Sequence, residues 1–234
     1  MTAGLLAEWR ALSQFLAAPQ RMPRRHAGGL AWVARSVGFA ATVLVVNITI
    51  AAMVLGPMAG WAGIHEELPN SLTLRFALLA GLFAPLAEEL LVRAGLRRLG
   101  FTLFVGPALT FYAFCPGGTL WNVAAAALAG ALVAGYLLQY QRWRNPAARM
   151  ASGRRFIRHY GWVYWGYVLA FALSHIGNYS WSSTRGSMFV AAMVLPQLLM
   201  GTVAGYLRLR DGLRSSLLLH FLNNTVALLL WQQL

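Results

Sequence analysis

The chain has no lysine, six carboxylates and one cysteine among its 234 residues, and only 11% of those residues are charged. Soluble domains carry roughly 25% charged residues. The shortage excludes an ordinary water-soluble domain and points to one membrane-embedded unit rather than two domains. One cysteine, Cys115, excludes an internal disulfide and a cysteine metal cluster. One aspartate, Asp211, excludes a catalytic aspartate pair. No cleavable leader is evident: "MTAGLLAEWRALSQF" reads as amphipathic, and the first long apolar run begins near residue 31. No internal repeat is visible, which argues against a transporter built from inverted halves. All nineteen basic residues are arginine, a bias that points to a GC-rich genome and a bacterial source.

What is present is apolar. Hydrophobic residues make up 59% of the chain, and the mean hydropathy is +0.57. A span needs about 20 residues, and such runs predict helices near 31–56, 73–96, 99–114, 119–140, 161–183, 187–207 and 212–232. The expectation is an all-α, polytopic transmembrane bundle of about seven spans over 31–234, preceded by an amphipathic, basic segment over 1–30. "AAAALAGALVAGY" is rich in the small residues that let helices approach closely, Pro196 predicts a kink, and Asn47 predicts an interhelical hydrogen bond. A net charge of +13 would suit nucleic acid if gathered on one surface. The arginines instead fall between the apolar segments, so no nucleic-acid partner is expected.

Their placement sets the topology. Arg10, Arg21, Arg24 and Arg25 precede the first span, and Arg97 and Arg98 follow the second. Arg142, Arg144, Arg149, Arg154, Arg155 and Arg158 separate the fourth from the fifth, and Arg208, Arg210 and Arg214 the sixth from the seventh. The alternate connections hold only Arg75 and Arg185. By the positive-inside rule the N-terminus is expected in the cytoplasm. The loop "RWRNPAARMASGRRFIRHY" is basic enough to lie on anionic headgroups.

Ionisable groups inside spans are functional candidates, because each is costly unless paired. Few remain: Glu88, Glu89 and Arg93 on the second predicted helix, His175 on the fifth, and His220 with Asn223 and Asn224 on the seventh. Glu89 and Arg93 are four residues apart and can pair on one face. His220 and Asn224 share that interval, as do Phe171 and His175. At about 1.5 Å per residue, Glu88 lies roughly 14 Å inside Arg97 and His220 roughly 15 Å beyond Arg210. His175 lies roughly 25 Å from Arg158, but only roughly 15 Å deep if the aromatic belt "HYGWVYWGY" places the hydrocarbon edge near Trp165.

Three motifs follow in order: "EELLVR" fits EExxxR, "FALSH" fits FxxxH and "HFLNN" fits HxxxN. Together they resemble the CPBP family (CAAX proteases and bacteriocin-processing enzymes, also called ABI), glutamic-type intramembrane endopeptidases. The resemblance covers residues 75 to 232. The interval from Glu88 to His175 exceeds the family's usual spacing, leaving room for an inserted pair of spans. The resemblance implies that Glu88 is the base, that His175 helps hold or deprotonate a water, and that His220 and Asn224 donate to the oxyanion. It implies that Arg93 neutralises Glu89. It also implies chemistry without a bound metal, although two Glu and two His could hold zinc. The implied substrate is a membrane-anchored protein or hydrophobic peptide, and the implied location a bacterial inner (plasma) membrane, with the active site in its cytoplasmic half. The sequence carries no indication of oligomeric state.

Other chemistries fit less well. "HEELP" at 65–69 resembles the start of HExxH, but Pro69 stands where the second His belongs, and the stretch reads as a solvated outer loop. Ser174, beside His175, is expected on another helix face, against a serine–histidine dyad. Cys115 sits in an outer turn with no local His. Phe171 and Asn223 are expected to pack around the site. Two other classes stay open: a proton-coupled transporter or channel using the buried Glu and His residues, and a non-catalytic immunity or scaffold membrane protein.

Overall fold

The first helix, α1 (Thr2–Ala17), shows one apolar face: Trp9, Leu12, Phe15 and Leu16 recur at helical spacing. Leu12 and Phe15 are buried in the main core, with Trp9 and Leu16 packed against it. Glu8 on the same helix pairs with Arg35 at 3.4 Å and with Arg210. The structure, a computed structural model, describes residues 2–22, 29–67, 73–93, 95–101 and 119–231.

Proline decides where the long helices depart from α geometry. It offers no N–H to the carbonyl four residues back and crowds it. The helix α2 (Ala31–Ile50) runs through a π turn, Ala51–Leu55, into α3 (Gly56–Ala62), where Pro57 stands near the start. Likewise α4 (Leu74–Leu78) runs through a second π turn, Leu79–Phe83, into α5 (Ala84–Arg93), which opens with Pro85. After α6 (Thr119–Trp143), α7 (Pro146–Arg158) and α8 (Tyr160–Leu173) comes α9 (Thr184–Phe189). A 3-10 turn, Val190–Val194, leads from α9 to α10 (Leu195–Arg210) and Pro196. The kink expected at Pro196 is thus a change of helix type just upstream. Each irregular stretch ends two residues before its proline. The last helix is α11 (Leu213–Trp231).

Three predicted boundaries move. The fifth predicted helix, 161–183, ends as α-helix at Leu173. A 3-10 turn, Ser174–Asn178, and a strand, β2 (Tyr179–Trp181), follow. The strand pairs antiparallel with β1 (Ile64–Glu66), setting Ile64 against Trp181, His65 against Ser180 and Glu66 against Tyr179. So "HEELP" is not simply a solvated loop: its first two residues join a two-stranded ribbon whose ladder bonds override local helix propensity. Pro69, Cys115 and most of the third predicted helix lie outside the described residues. The basic stretch 142–158, read as a loop, contains α7. Asn145 caps it, its side-chain oxygen accepting from Ala147 N at 2.9 Å, and Pro146 occupies the first turn. Arg149, Arg154, Arg155 and Arg158 are exposed on it, while Phe156 is buried.

The core lies where α11 packs on α2 and α10, and α10 on α8. Close approach depends on "GTVAG" in α10. A Cβ at Gly201 would come within 2.8 Å of the Phe171 ring, and one at Gly205 within 3.0 Å of the Tyr164 ring. This small-xxx-small contact is tied by the Tyr164 hydroxyl, which donates to the Thr202 carbonyl at 2.6 Å. In α6, Gly130 has nothing within 4 Å of a Cβ among the described residues. Asn47 makes the expected interhelical bond, donating to the Pro196 carbonyl at 3.3 Å.

Among the described residues, three helical runs are long and apolar enough to cross a membrane: Ala31–Ala62, Thr184–Arg210 and Leu213–Leu230. The α4–α5 run is comparably long but carries Arg75, Glu88, Glu89 and Arg93.

Candidate active site

The doublet on α5 has two distinct faces. Glu89 is wholly buried, and one of its oxygens meets Arg93 at 3.0 Å on one side and His220 Nδ1 at 3.0 Å on the other. A carboxylate held by arginine is an acceptor, so His220 Nδ1–H donates to it. Arg93 is also buried, and its guanidinium lies 4.4 Å from the centre of the Phe171 ring. A buried ion pair stays ionised only when its geometry is good and its remaining polar atoms find partners. The helix spacing, the His220 bond and the aromatic face supply part of this, while Glu89 Oε2 and Arg93 Nη1 make no hydrogen bond among the described residues.

Glu88 points the other way, into a cavity. Its Oε2 lies 3.6 Å from His220 Nε2 and 3.9 Å from His175 Nε2 and has no hydrogen-bond partner. These separations exceed direct hydrogen bonds.

His175 is held by the end of its own helix. Its Nδ1 lies 2.9 Å from the Phe171 carbonyl, an acceptor, so Nδ1 carries the proton and the Nε2 lone pair faces Glu88. The Ser174 hydroxyl also donates to that carbonyl, at 2.6 Å, and lies 3.2 Å from His175 Nδ1. Ser174 is therefore on the same side as His175, contrary to the expectation of another face, because α8 tightens there into a 3-10 turn. Its hydroxyl sits at Nδ1 and is committed to the backbone, a poor arrangement for a nucleophile. The Phe171 ring is 4.8 Å from the His175 ring and stands edge-on to His220 at 5.7 Å.

Asn224, one turn beyond His220, lines the same cavity and donates to the Ala80 carbonyl at 2.9 Å. Ala80 lies in the π turn before Pro85, where carbonyls lose their usual partners. Its Nδ2 has a second hydrogen. Asn223 is buried and donates to the Leu219 carbonyl at 3.0 Å. The structure thus gathers all three motifs, with Glu88, His175, His220 and Asn224 around one cavity and Glu89 and Arg93 directly behind.

That cavity, about 920 Å³, runs from Glu88, His175 and His220 to Glu66 and Glu67 at the ribbon. The three irregular stretches that precede prolines contribute to its wall, through Ala51, Ala80 and Met193, as does the 3-10 turn Ser174–Asn178. Irregular backbone at membrane depth is tolerated where it lines such a space. Sequence reasoning missed Glu66, Glu67 and Gln197 as lining residues. Their signal was present, since each is polar within or beside a long apolar run. Among the described residues, no group of three or more His, Cys, Asp or Glu is arranged to hold a metal ion.

No curated protein and no solved structure matches the chain. A family model does match, over residues 70–226: the Rce1-like type II CAAX prenyl endopeptidases. The match covers more than half of the chain and contains all three motifs. Apolar helices and family together make this an integral membrane protein of a protease family: the chain belongs to the Rce1-like type II CAAX prenyl endopeptidases.

Proposed function

We propose that this protein is an intramembrane endopeptidase in which Glu88 activates a water to hydrolyse a peptide bond of a membrane-associated protein or hydrophobic peptide. The observation that carries this reading is the convergence of His175 Nε2 and His220 Nε2 on the unpartnered Oε2 of Glu88, at 3.9 and 3.6 Å. A water in that space gives one proton to Glu88 and hydrogen-bonds to the His175 lone pair. The hydroxide adds to the scissile carbonyl, and Glu88 then delivers the proton to the leaving nitrogen. His220 and Asn224 stabilise the oxyanion, a role worth about 3–4 kcal/mol per donor in other enzymes. Because Nδ1 of His220 already donates to Glu89, donation from Nε2 requires a proton on each ring nitrogen. Glu89 is therefore a positioning residue for His220, and Arg93 neutralises it.

The residues supply base, water-holder and oxyanion donors without a bound metal. The arginine pattern supports about seven spans, a cytoplasmic N-terminus, a cytoplasmic 1–30 segment and a site in the cytoplasmic half of a bacterial inner membrane. The exposed arginines of α7 suit anionic headgroups.

Reconstituted protein offered membrane-anchored peptides should cleave them equally with and without a chelator, and His220→Ala should abolish turnover. Activity restored only by added zinc would replace the metal-free mechanism, and proton flux without cleavage would replace the protease reading with a transporter.

A further inference from the structure

The cavity stops at a definite residue on each helix that lines it. Toward the arginine-rich end, the last lining residues are Leu44 on α2, Val92 on α5, Ala170 on α8, Met200 on α10 and His220 on α11. Closer to the arginines on the same five stretches of chain stand Phe39, Leu96, Tyr164, Leu207 and Leu219. Each is at most 1% exposed, and all five belong to one core cluster. A core packed to crystal density leaves no passage for water or a peptide. The helix α1 lies against that core, contributing Leu12 and Phe15, and its Glu8 pairs with Arg35 on α2 and Arg210 on α10. Arg97 donates to the Arg208 carbonyl at 3.4 Å and to the Leu209 carbonyl, tying the chain after α5 to the end of α10.

The other end is open. Glu66 and Glu67 line the cavity there and are exposed. Among the described residues the lining contains no arginine, although the chain has nineteen. Ala80, Ala84 and Glu88 follow at four-residue intervals, so one wall leads from the ribbon side down to the carboxylate. The two ends face opposite sides of a membrane. In the run Ala31–Ala62, Arg35 stands near the start and β1 follows the finish. Between them lie roughly 40 Å of helix at about 1.5 Å per residue, more than the roughly 30 Å of a hydrocarbon core.

We infer that Glu88 is reached from the ribbon face and is closed off from the arginine face. The substrate is then an anchored polypeptide whose scissile segment enters from the outer side of the membrane, not from the cytoplasm. The site sits in the half nearer the arginines, while its approach is from the other side. This rests on the protease reading and on the orientation given by the arginines.

Side-specific thiol labelling tests the route without turnover. In the full chain, Cys115→Ser removes the one native cysteine. Single substitutions Ala84→Cys and Ala170→Cys then mark two walls of the cavity, Glu67→Cys its mouth and Arg149→Cys the arginine face. Right-side-out and inside-out vesicles receive trimethylammonioethyl methanethiosulfonate, which does not cross membranes and caps accessible thiols. Fluorescein maleimide, added after solubilisation, reads the thiols left free. The cavity and mouth cysteines should lose the fluorescein label in right-side-out vesicles and keep it in inside-out ones, and Arg149→Cys should do the reverse. Two cavity positions keep the test decisive if one variant fails to fold, which thermal unfolding checks. Cavity cysteines capped from the inside-out side or from neither side, or mouth and arginine face exchanging sides, would overturn the inference. Wild-type vesicles should cleave an added membrane-anchored peptide when right-side-out and not when inside-out, and the opposite result would also overturn it. If labelling is as expected but neither vesicle cleaves, the route stands and the protease reading falls.

Discussion

Replacing Glu89 by glutamine separates the two halves of the doublet. Glu89 and Arg93 are both buried and 3.0 Å apart, and His220 Nδ1 lies 3.0 Å from the same carboxylate. Glutamine keeps the shape and removes the charge, leaving the Arg93 guanidinium as a buried cation beside a neutral amide and the Phe171 face, with no counter-charge. Breaking a buried pair from one side costs about 3–5 kcal/mol. For a chain of this size that lowers Tm by about 10 °C. Glu88→Gln should leave Tm nearly unchanged, because Oε2 of Glu88 makes no hydrogen bond and its side chain reaches the cavity. Thermal unfolding in nanodiscs, followed by tryptophan fluorescence, reads both. A third variant checks the cause: Glu89→Gln with Arg93→Met removes both charges and should recover most of the stability. Its turnover should stay low, since His220 has lost its carboxylate. A Glu89→Gln protein that melts like wild type, or a Glu88→Gln protein that loses as much stability, would rule out this division of roles.

Gly201→Ala places a Cβ within 2.8 Å of the Phe171 ring, and overpacking of this kind costs about 1–3 kcal/mol. Because the Phe171 carbonyl holds His175 Nδ1, turnover should fall with stability, whereas Gly130→Ala, with nothing within 4 Å, should be neutral or slightly stabilising in a melting assay. Asp211, between α10 and α11, has its carboxyl raised above the ordinary aspartate range by burial, which outweighs Arg35 and Arg210. A carboxyl raised on folding stabilises when protonated, so stability should fall as pH climbs through its raised value. Asp211→Asn should flatten that part of a Tm-against-pH curve.

The constellation was legible in the sequence because charge in an apolar run is conspicuous and helical spacing is simple. Glu89 and Arg93 at i, i+4, and His220 and Asn224 at i, i+4, lie where the interval places them. Spacing within one helix could not reveal that Glu89 also holds His220, a contact across 131 residues. The end of α8 was missed for a related reason. "SHIGNYSW" reads as a continued span until β1 pairs with it, and that partner lies more than a hundred residues earlier. The helix α7 was missed although Asn145 and Pro146 are an N-cap and first-turn signal, because its arginines resembled a solvated loop. The π turns before Pro57 and Pro85 are local in cause, but that they line one cavity is a property of packing.

Everything at the site turns on Glu88 as the base. Single-turnover cleavage of a membrane-anchored peptide by purified wild-type and Glu88→Gln protein, with Tm measured on the same samples, tests it most directly. If Glu88 is the base, cleavage falls by more than about a thousandfold, within the range of general-base contributions, at an unchanged Tm. Cleavage by a folded Glu88→Gln protein at near wild-type rate would contradict it.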